Sequence, residues 1–147
     1  MKKVLFLGIA MLMFVLTACN KESEQNIIGS WKLVLTQISA ESSYGYNENY
    51  NNAVEEDIYF IFQKNGVFYH CDEDGMSDSG KWAYVDGKIV IGEDTYDIEN
   101  FSHKEMDLVY TEYYEDYDEY EDYLNWSRST YRMHFKREKT PKEYRNK

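Results

Sequence analysis

Proline is almost missing from this sequence: Pro141 is the one proline in 147 residues, and it lies near the C-terminus. Long strands therefore meet no built-in interruption before that point. Cysteine is scarce as well, with Cys19 and Cys71 the only two, so there is no disulfide framework and packing must hold the fold. Positive charge is in short supply. Against 27 Asp and Glu stand 16 Lys and Arg, for a formal net charge of −11. That balance excludes nucleic acid as a partner and disfavours anionic lipid headgroups, since both would be repelled. The three histidines (His70, His103 and His134) have none of the spacings of a zinc motif. Gly75-Met76-Ser77-Asp78-Ser79 lacks the last glycine of a nucleophile elbow, and no P-loop or dinucleotide fingerprint is present. The sequence therefore predicts no catalytic residue, no metal and no cofactor, and a protein that is not an enzyme.

What is present begins at the N-terminus. Lys2 and Lys3 precede the apolar run Val4 to Leu16, which is too short for a permanent span and matches the core of a signal peptide. The run ends in Leu16-Thr17-Ala18-Cys19, which resembles the lipobox of bacterial lipoproteins. The resemblance implies cleavage before Cys19, a diacylglycerol on its thiol, and a lipid anchor in the cell envelope, at the outer membrane. Loss of Lys2 and Lys3 with the leader deepens the net charge from −11 to −13. The expected organisation is a signal peptide over 1–18, a lipidated Cys and tether over 19–26, one barrel domain over 27–137 and a basic tail over 138–147, read as a frayed terminus. Lys21-Glu22-Ser23-Glu24 in the tether resembles the short charged export signals of Bacteroidota surface lipoproteins, and equally a solvated spacer.

From Gly29 onward the apolar residues alternate, which is the strand period. Trp31, Leu33 and Leu35 share one expected face, and Ile58, Phe60 and Phe62 another; Val67 and Tyr69 follow the Asn65-Gly66 hairpin signal. Trp82 and Tyr84 lead through Asp86-Gly87 to Ile89 and Ile91, then come Tyr96 with Ile98, Leu108 with Tyr110, and Tyr131, Met133 and Phe135. Eight strands are predicted, over 29–38, 56–64, 67–72, 80–85, 88–92, 95–101, 106–114 and 127–137, and helical periodicity is absent apart from room for turns within 40–55 and 115–124. Each strand offers one apolar face and several are joined by tight turns. The prediction is an all-β fold: an eight-stranded antiparallel up-and-down barrel, whose closure buries those faces and removes the edges.

Gly29-Ser30-Trp31 resembles the Gly-x-Trp motif of lipocalins, and Ile28 to Leu33, Asn65-Gly66 and Gly80-Lys81-Trp82 resemble the lipocalin-like domains of Bacteroidota lipoproteins. Tyr96-Asp97-Ile98 and Met106-Asp107-Leu108 fit the same pattern. The resemblance implies a barrel with room for a ligand. It also implies a basic side chain of the last strand, Lys136 or Arg137, stacked on Trp31 as a structural element.

Two candidate sites follow. Aromatic residues make up 17% of the chain, 15 of them Tyr, and the inward set includes Trp31, Phe60, Trp82, Tyr84, Tyr96, Tyr110 and Tyr131. These are the candidate walls for a small apolar or aromatic ligand, with buried hydroxyls seeking partners. The alternative is a protein–protein module of an envelope complex, using the acidic loop 112–123, where Tyr114, Tyr117, Tyr120 and Tyr123 recur every third residue. Carboxylates at that density also suggest calcium, but neither this loop nor Asp72 to Asp78 has calcium-loop spacing.

Overall fold

The computed structural model describes residues 23–118 and 123–144. The leader, Cys19 and Tyr120 lie outside the described residues, and of Tyr123 only the main chain is described. A four-residue helix, α1 (Glu24–Ile27), precedes nine strands: β1 (Gly29–Ser42), β2 (Asn47–Ala53), β3 (Tyr59–Phe62), β4 (Val67–Asp72), β5 (Gly75–Val85), β6 (Lys88–Ile91), β7 (Asp94–Glu99), β8 (Glu105–Asp118) and β9 (Tyr123–Glu138). From β3 to β9 each strand pairs antiparallel with the next, and β1 pairs with both β3 and β9, so eight strands close into a barrel. Among the described residues no helix is long and apolar enough to cross a membrane.

Two turns explain the tight connections. Asp86 and Gly87 have φ of 51° and 82°, the pair of left-handed conformations that matches strand twist in a two-residue hairpin. The second turn differs in kind: Gly66 alone is left-handed, at φ 79°, its N–H donates to Gln63 O at 3.1 Å, and the Asn65 side chain accepts from the Val67 N–H at 3.1 Å.

Three features depart from the sequence reading. The first is a bulge in β1: Leu33 faces Phe135 while Leu35 faces His134, so Val34 is the extra residue. Trp31 and Leu33 point inward, but beyond the bulge the inward positions are Thr36 and Ile38, and Leu35 turns to the outer face. The second is β2, in a segment outside the predicted strands. Its seven residues (Asn-Glu-Asn-Tyr-Asn-Asn-Ala) have poor strand propensity, yet the upper half of β1 offers them a paired edge from Leu35↔Ala53 to Glu41↔Asn47. The third is length. β8 and β9 pair from Glu105↔Lys136 up to Asp118↔Tyr123, so most of the expected acidic loop is strand. Because β7 meets β8 only at Asp97–Glu99, the upper parts of β2, β1, β9 and β8 form a four-stranded sheet that projects beyond the ring.

The lower barrel is filled. Trp31, Leu33, Phe62, Phe68, Trp82, Ile89, Met106, Leu108 and Phe135 form one cluster, and Ile27 of α1 plugs its base at 0% exposure. In β4 the inward residues are Phe68 and His70, in register with Phe62 and Phe60, so Val67 and Tyr69 take the other face. Tyr69 joins Tyr59, Ile61 and Cys71 in a second cluster outside the barrel. There the tail does not fray: Tyr144, in a 3-10 turn over Lys142–Tyr144, packs on this cluster and donates its hydroxyl to Asp72 O at 2.8 Å. Cys71 is thereby sealed at 1% exposure, which shields its thiol from reagents.

Strand alternation decides which base meets Trp31. Arg137 shares the inward parity of Phe135, and its guanidinium carbon lies 4.2 Å from the Trp31 ring centre, while Lys136 points outward toward Glu105. The guanidinium donates to Ile28 O at 3.0 Å and to Asn26 O, and the Trp31 indole donates to Ile27 O at 2.8 Å. Together these bonds clamp α1 over the base. Burial lowers the Arg137 pKa from its ordinary value. Gly29 has to be glycine, since a Cβ there would lie 2.8 Å from the Arg137 guanidinium, at a φ of 136°. Replacing Arg137→Met removes the cation–π contact and leaves two carbonyls unanswered, with an expected loss of about 2–3 kcal/mol in urea unfolding. Arg137→Lys should recover less than half of it, because an ammonium lacks the planar fork.

Candidate functional site

Above the filled half the barrel opens, and register sets what lines the opening. Tyr110 of β8 faces Tyr131 of β9, Tyr131 faces Ile38 of β1, and Ile38 faces Tyr50 of β2. Tyr96 of β7 continues the row beside Tyr110, with ring centres 5.6 Å apart and planes inclined at 42°; Tyr110 and Tyr131 are 6.3 Å apart at 34°. One level of the barrel mouth is thus tiled with phenol rings. Beneath it lie Met133 and Thr36, a cross-strand pair, and Glu112 stands above. The cavity they enclose has a volume of about 340 Å³, at the lower end of the range for small-molecule sites, and its walls are mainly apolar.

Burial first, then the Asp94 charge and the neighbouring Tyr110, raise the Tyr96 hydroxyl above its ordinary pKa. For Tyr110 the causes are burial, Asp94, Glu112 and Tyr131, and the direction is the same. Both phenols stay protonated at neutral pH and present O–H donors at the cavity.

Of the seven aromatics predicted to line a ligand site, Tyr96, Tyr110 and Tyr131 meet at this cavity. Trp31 is sealed at the base beneath Arg137. Phe60 packs against Phe135 and Phe68, at 4.9 and 5.1 Å. Trp82 lies edge-on to Phe62 and donates to Gln63 O at 2.9 Å. Tyr84 packs against the central cluster and does not line the cavity. Sequence reasoning missed Thr36, Ile38 and Glu112 as lining residues. Met133 was legible from its alternation with Tyr131 and Phe135, whereas the parity of Thr36 and Ile38 depends on the bulge.

No known family, curated protein or solved structure matches this chain.

The tyrosines of the acidic segment do not form one stripe. Three-residue spacing on a strand alternates faces, so Tyr114 lies on the inner face with Tyr110, and Tyr117 on the outer face with Tyr113. All three are more than half exposed, and Tyr113 stacks on Trp126 with ring centres 6.5 Å apart. Tyr114, Glu112, Ser127 and Ser129 border a polar depression of about 430 Å³ that continues the cavity upward. A third hollow, of about 550 Å³, lies outside the barrel between the β3–β4 turn and the docked tail. Its lining is mixed polar and apolar and brings in Phe62 and Tyr144 as its aromatic rings, so the mouth, with its mainly apolar walls, is the better candidate. His70 and Cys71 point to opposite faces, and among the described residues no group of three His, Cys, Asp or Glu is placed to hold a metal.

The one acidic residue buried as a whole among the described residues is Asp107, on the outer face of β8. It accepts from Asn100 at 2.7 Å, from His134 at 2.6 Å and, more weakly, from Arg132 at 3.4 Å. Burial alone would raise its pKa, but the bonds from Asn100 and His134 and the charges of His134 and Arg132 outweigh it and hold the carboxyl below its ordinary value. Arg132 also binds Glu99 at 2.5 Å, so the cluster ties β7, β8 and β9 in register. A carboxyl with a lowered folded pKa adds stability above its unfolded pKa and loses it as pH falls through the folded value. Asp107→Asn is therefore expected to cost about 2 kcal/mol at pH 5, the deficit shrinking as pH drops below about 4, in urea melts at each pH.

Proposed function

We propose that this protein is an envelope-anchored, noncatalytic binding protein of lipocalin-like type, which takes a small apolar or aromatic ligand in the mouth of its barrel. The observation that carries the reading is the cavity of about 340 Å³ walled by Tyr96, Tyr110, Tyr131, Ile38 and Met133. Its apolar walls reward removal of a ligand's hydrocarbon surface from water, and the phenol hydroxyls supply the few polar contacts that orient it. The filled lower barrel limits the ligand to one or two rings. It also holds the rings in place before binding, which reduces the ordering cost of association.

The anchor fits the same geometry. Cys19 precedes Ser23 by four residues, and Ser23 caps α1 at the closed base. A lipid on Cys19 would set the base toward the bilayer and the mouth away from it. In this reading the host sorts the protein to the outer membrane. The Cys19→Ser variant is expected to move from the membrane fraction to the soluble fraction, with its melting temperature unchanged. Retention of the variant in the membrane would refute the anchor.

A second reading is a protein-binding module of an envelope complex, favoured by the exposed Tyr113 and Tyr117 beside Trp126 on the outer face of the projecting hairpin. One experiment separates the two. Protein purified from its own host is sprayed intact in a mass spectrometer, and a small molecule that leaves on unfolding identifies the ligand. Tyr110→Ala should reduce its occupancy at least about tenfold, while Tyr113→Ala leaves it unchanged. Absence of any copurified molecule, together with loss of a protein partner in Tyr113→Ala, would favour the second reading.

A further inference from the structure

The charges around the mouth go further than the aromatic walls. The inner-face positions of the projecting sheet follow from register. In the row of Tyr50, Ile38, Tyr131, Tyr110 and Tyr96 the residues are all apolar or phenolic. The next row up runs Glu48, Ala40, Ser129, Glu112, with a carboxylate at each end. Asp94, opposite inward-facing Ile91, adds a third acid near Tyr96. Further up, Asp116 follows Tyr114 on the same face of β8.

The one inward-facing base of these strands among the described residues is Arg137, at the closed base on Trp31; at the level of the mouth and above it no lysine or arginine occupies an inner-face position. Arg132 reaches the edge of the cavity, but its parity sends the side chain to the outer face, where Glu99 and Asp107 hold it. Arg128 is also outward, paired with Glu41. The acids of the mouth thus lack the cross-strand cations that answer the acids of the outer face. Glu48 takes a hydrogen bond from the Tyr46 hydroxyl, and one of its oxygens is buried without one. Asp94 and Glu112 are exposed and Glu48 is half-buried, so these carboxylates surround the apolar hollow with negative charge that a cation entering with the ligand would meet.

Tyrosine faces present the negative side of a ring quadrupole. Three of them stand side by side along the wall, Tyr110 with its ring centre 5.6 Å from that of Tyr96 and 6.3 Å from that of Tyr131, a row of rings on which an ammonium is held better than a neutral group of the same size. We infer that the ligand of this mouth is a small organic cation: an ammonium on an aromatic or alkyl body, its apolar part on the Met133–Ile38 floor and its charge between the tyrosine rings and Glu112. This rests on the mouth being a ligand site and names the chemical class of what it takes.

The test uses two probes of one shape, 2-phenylethylamine, charged at pH 7, and neutral 2-phenylethanol, titrated calorimetrically into the full-length protein at low salt. The expected result is amine binding at least about tenfold tighter than alcohol binding. That preference should shrink in 0.5 M salt, and in Glu112→Gln with alcohol binding unchanged. Equal or tighter binding of the alcohol overturns the cationic ligand and leaves the apolar site standing. Binding of neither probe, by protein whose melting curve shows it folded, overturns both.

Discussion

Because β1 is hydrogen-bonded on both sides, to β3 over its first four residues and to β9 over nearly its whole length, the sheet has no free edge at the level of its core. Everything else in the molecule depends on that closure. A ring of this size has an interior that side chains can fill, and here they fill the lower half, where Phe60, Phe62, Phe68, Trp82 and Phe135 pack edge to face or tilted. The ends of the ring's first and last strands are then locked together by Arg137, which binds Trp31 and the carbonyls of the chain just before β1. With two cysteines in the chain and no disulfide framework, this ladder and its clamp take the place of a covalent closure.

The bulge at Val34 divides β1 into two functional halves. Below it, Trp31 and Leu33 serve the core; above it, the parity change brings Thr36 and Ile38 inward opposite Met133 and Tyr131. Without the extra residue Leu35 would face the mouth and Thr36 and Ile38 would face solvent, and Ile38 could not complete the row of Tyr131, Tyr110 and Tyr96. One inserted residue thus sets the composition of the cavity wall. It also supplies the Val34 carbonyl to the Val54 N–H at 3.1 Å, which turns the chain from β2 toward β3. The unequal strand lengths do the rest. β8 and β9 outrun β7, so the inner face of their upper hairpin remains open above the ring.

Much of the barrel was legible in the sequence for a plain reason: a half-buried strand announces itself by alternation, and Asn65-Gly66 and Asp86-Gly87 mark hairpins by the left-handed backbone taken up at Gly66, Asp86 and Gly87. The segments that misled are those where tertiary pairing overrode local signal. Nothing in Asn47 to Ala53 favours a strand except the edge of β1 beside it, and the acids of 112–118 suggest a solvated loop until the long β9 partner is counted. In β4 both faces are apolar, so alternation could not say whether Val67 and Tyr69 or Phe68 and His70 face the core. The tail over Cys71 was hidden for the same reason, since Tyr144 in a basic stretch gives no hint of the apolar outer patch that receives it. For the site, the tyrosines were visible as inward residues, but the division between core aromatics and mouth aromatics depends on height in the barrel. Alternation carries no information about height.

That division also explains the contrast between the two faces of the same strands. On the outer face of β9, Arg128, Arg132, His134 and Lys136 each meet an acid from a neighbouring strand, and the carboxylate of Asp107 is stabilised despite its burial. On the inner face the acids Glu48, Asp94 and Glu112 stand beside phenols with no cation in the adjoining positions. A strand that pairs its charges on one side and leaves them unpaired on the other is not optimising stability alone. Burial first, and then the charge of nearby acids, raises the phenols of Tyr96 and Tyr110. The filled core and the β1–β9 ladder fix the register of the rim strands, and with it the positions from which these acids project. The negative potential at the mouth is therefore a standing property of the folded protein, present before any ligand arrives.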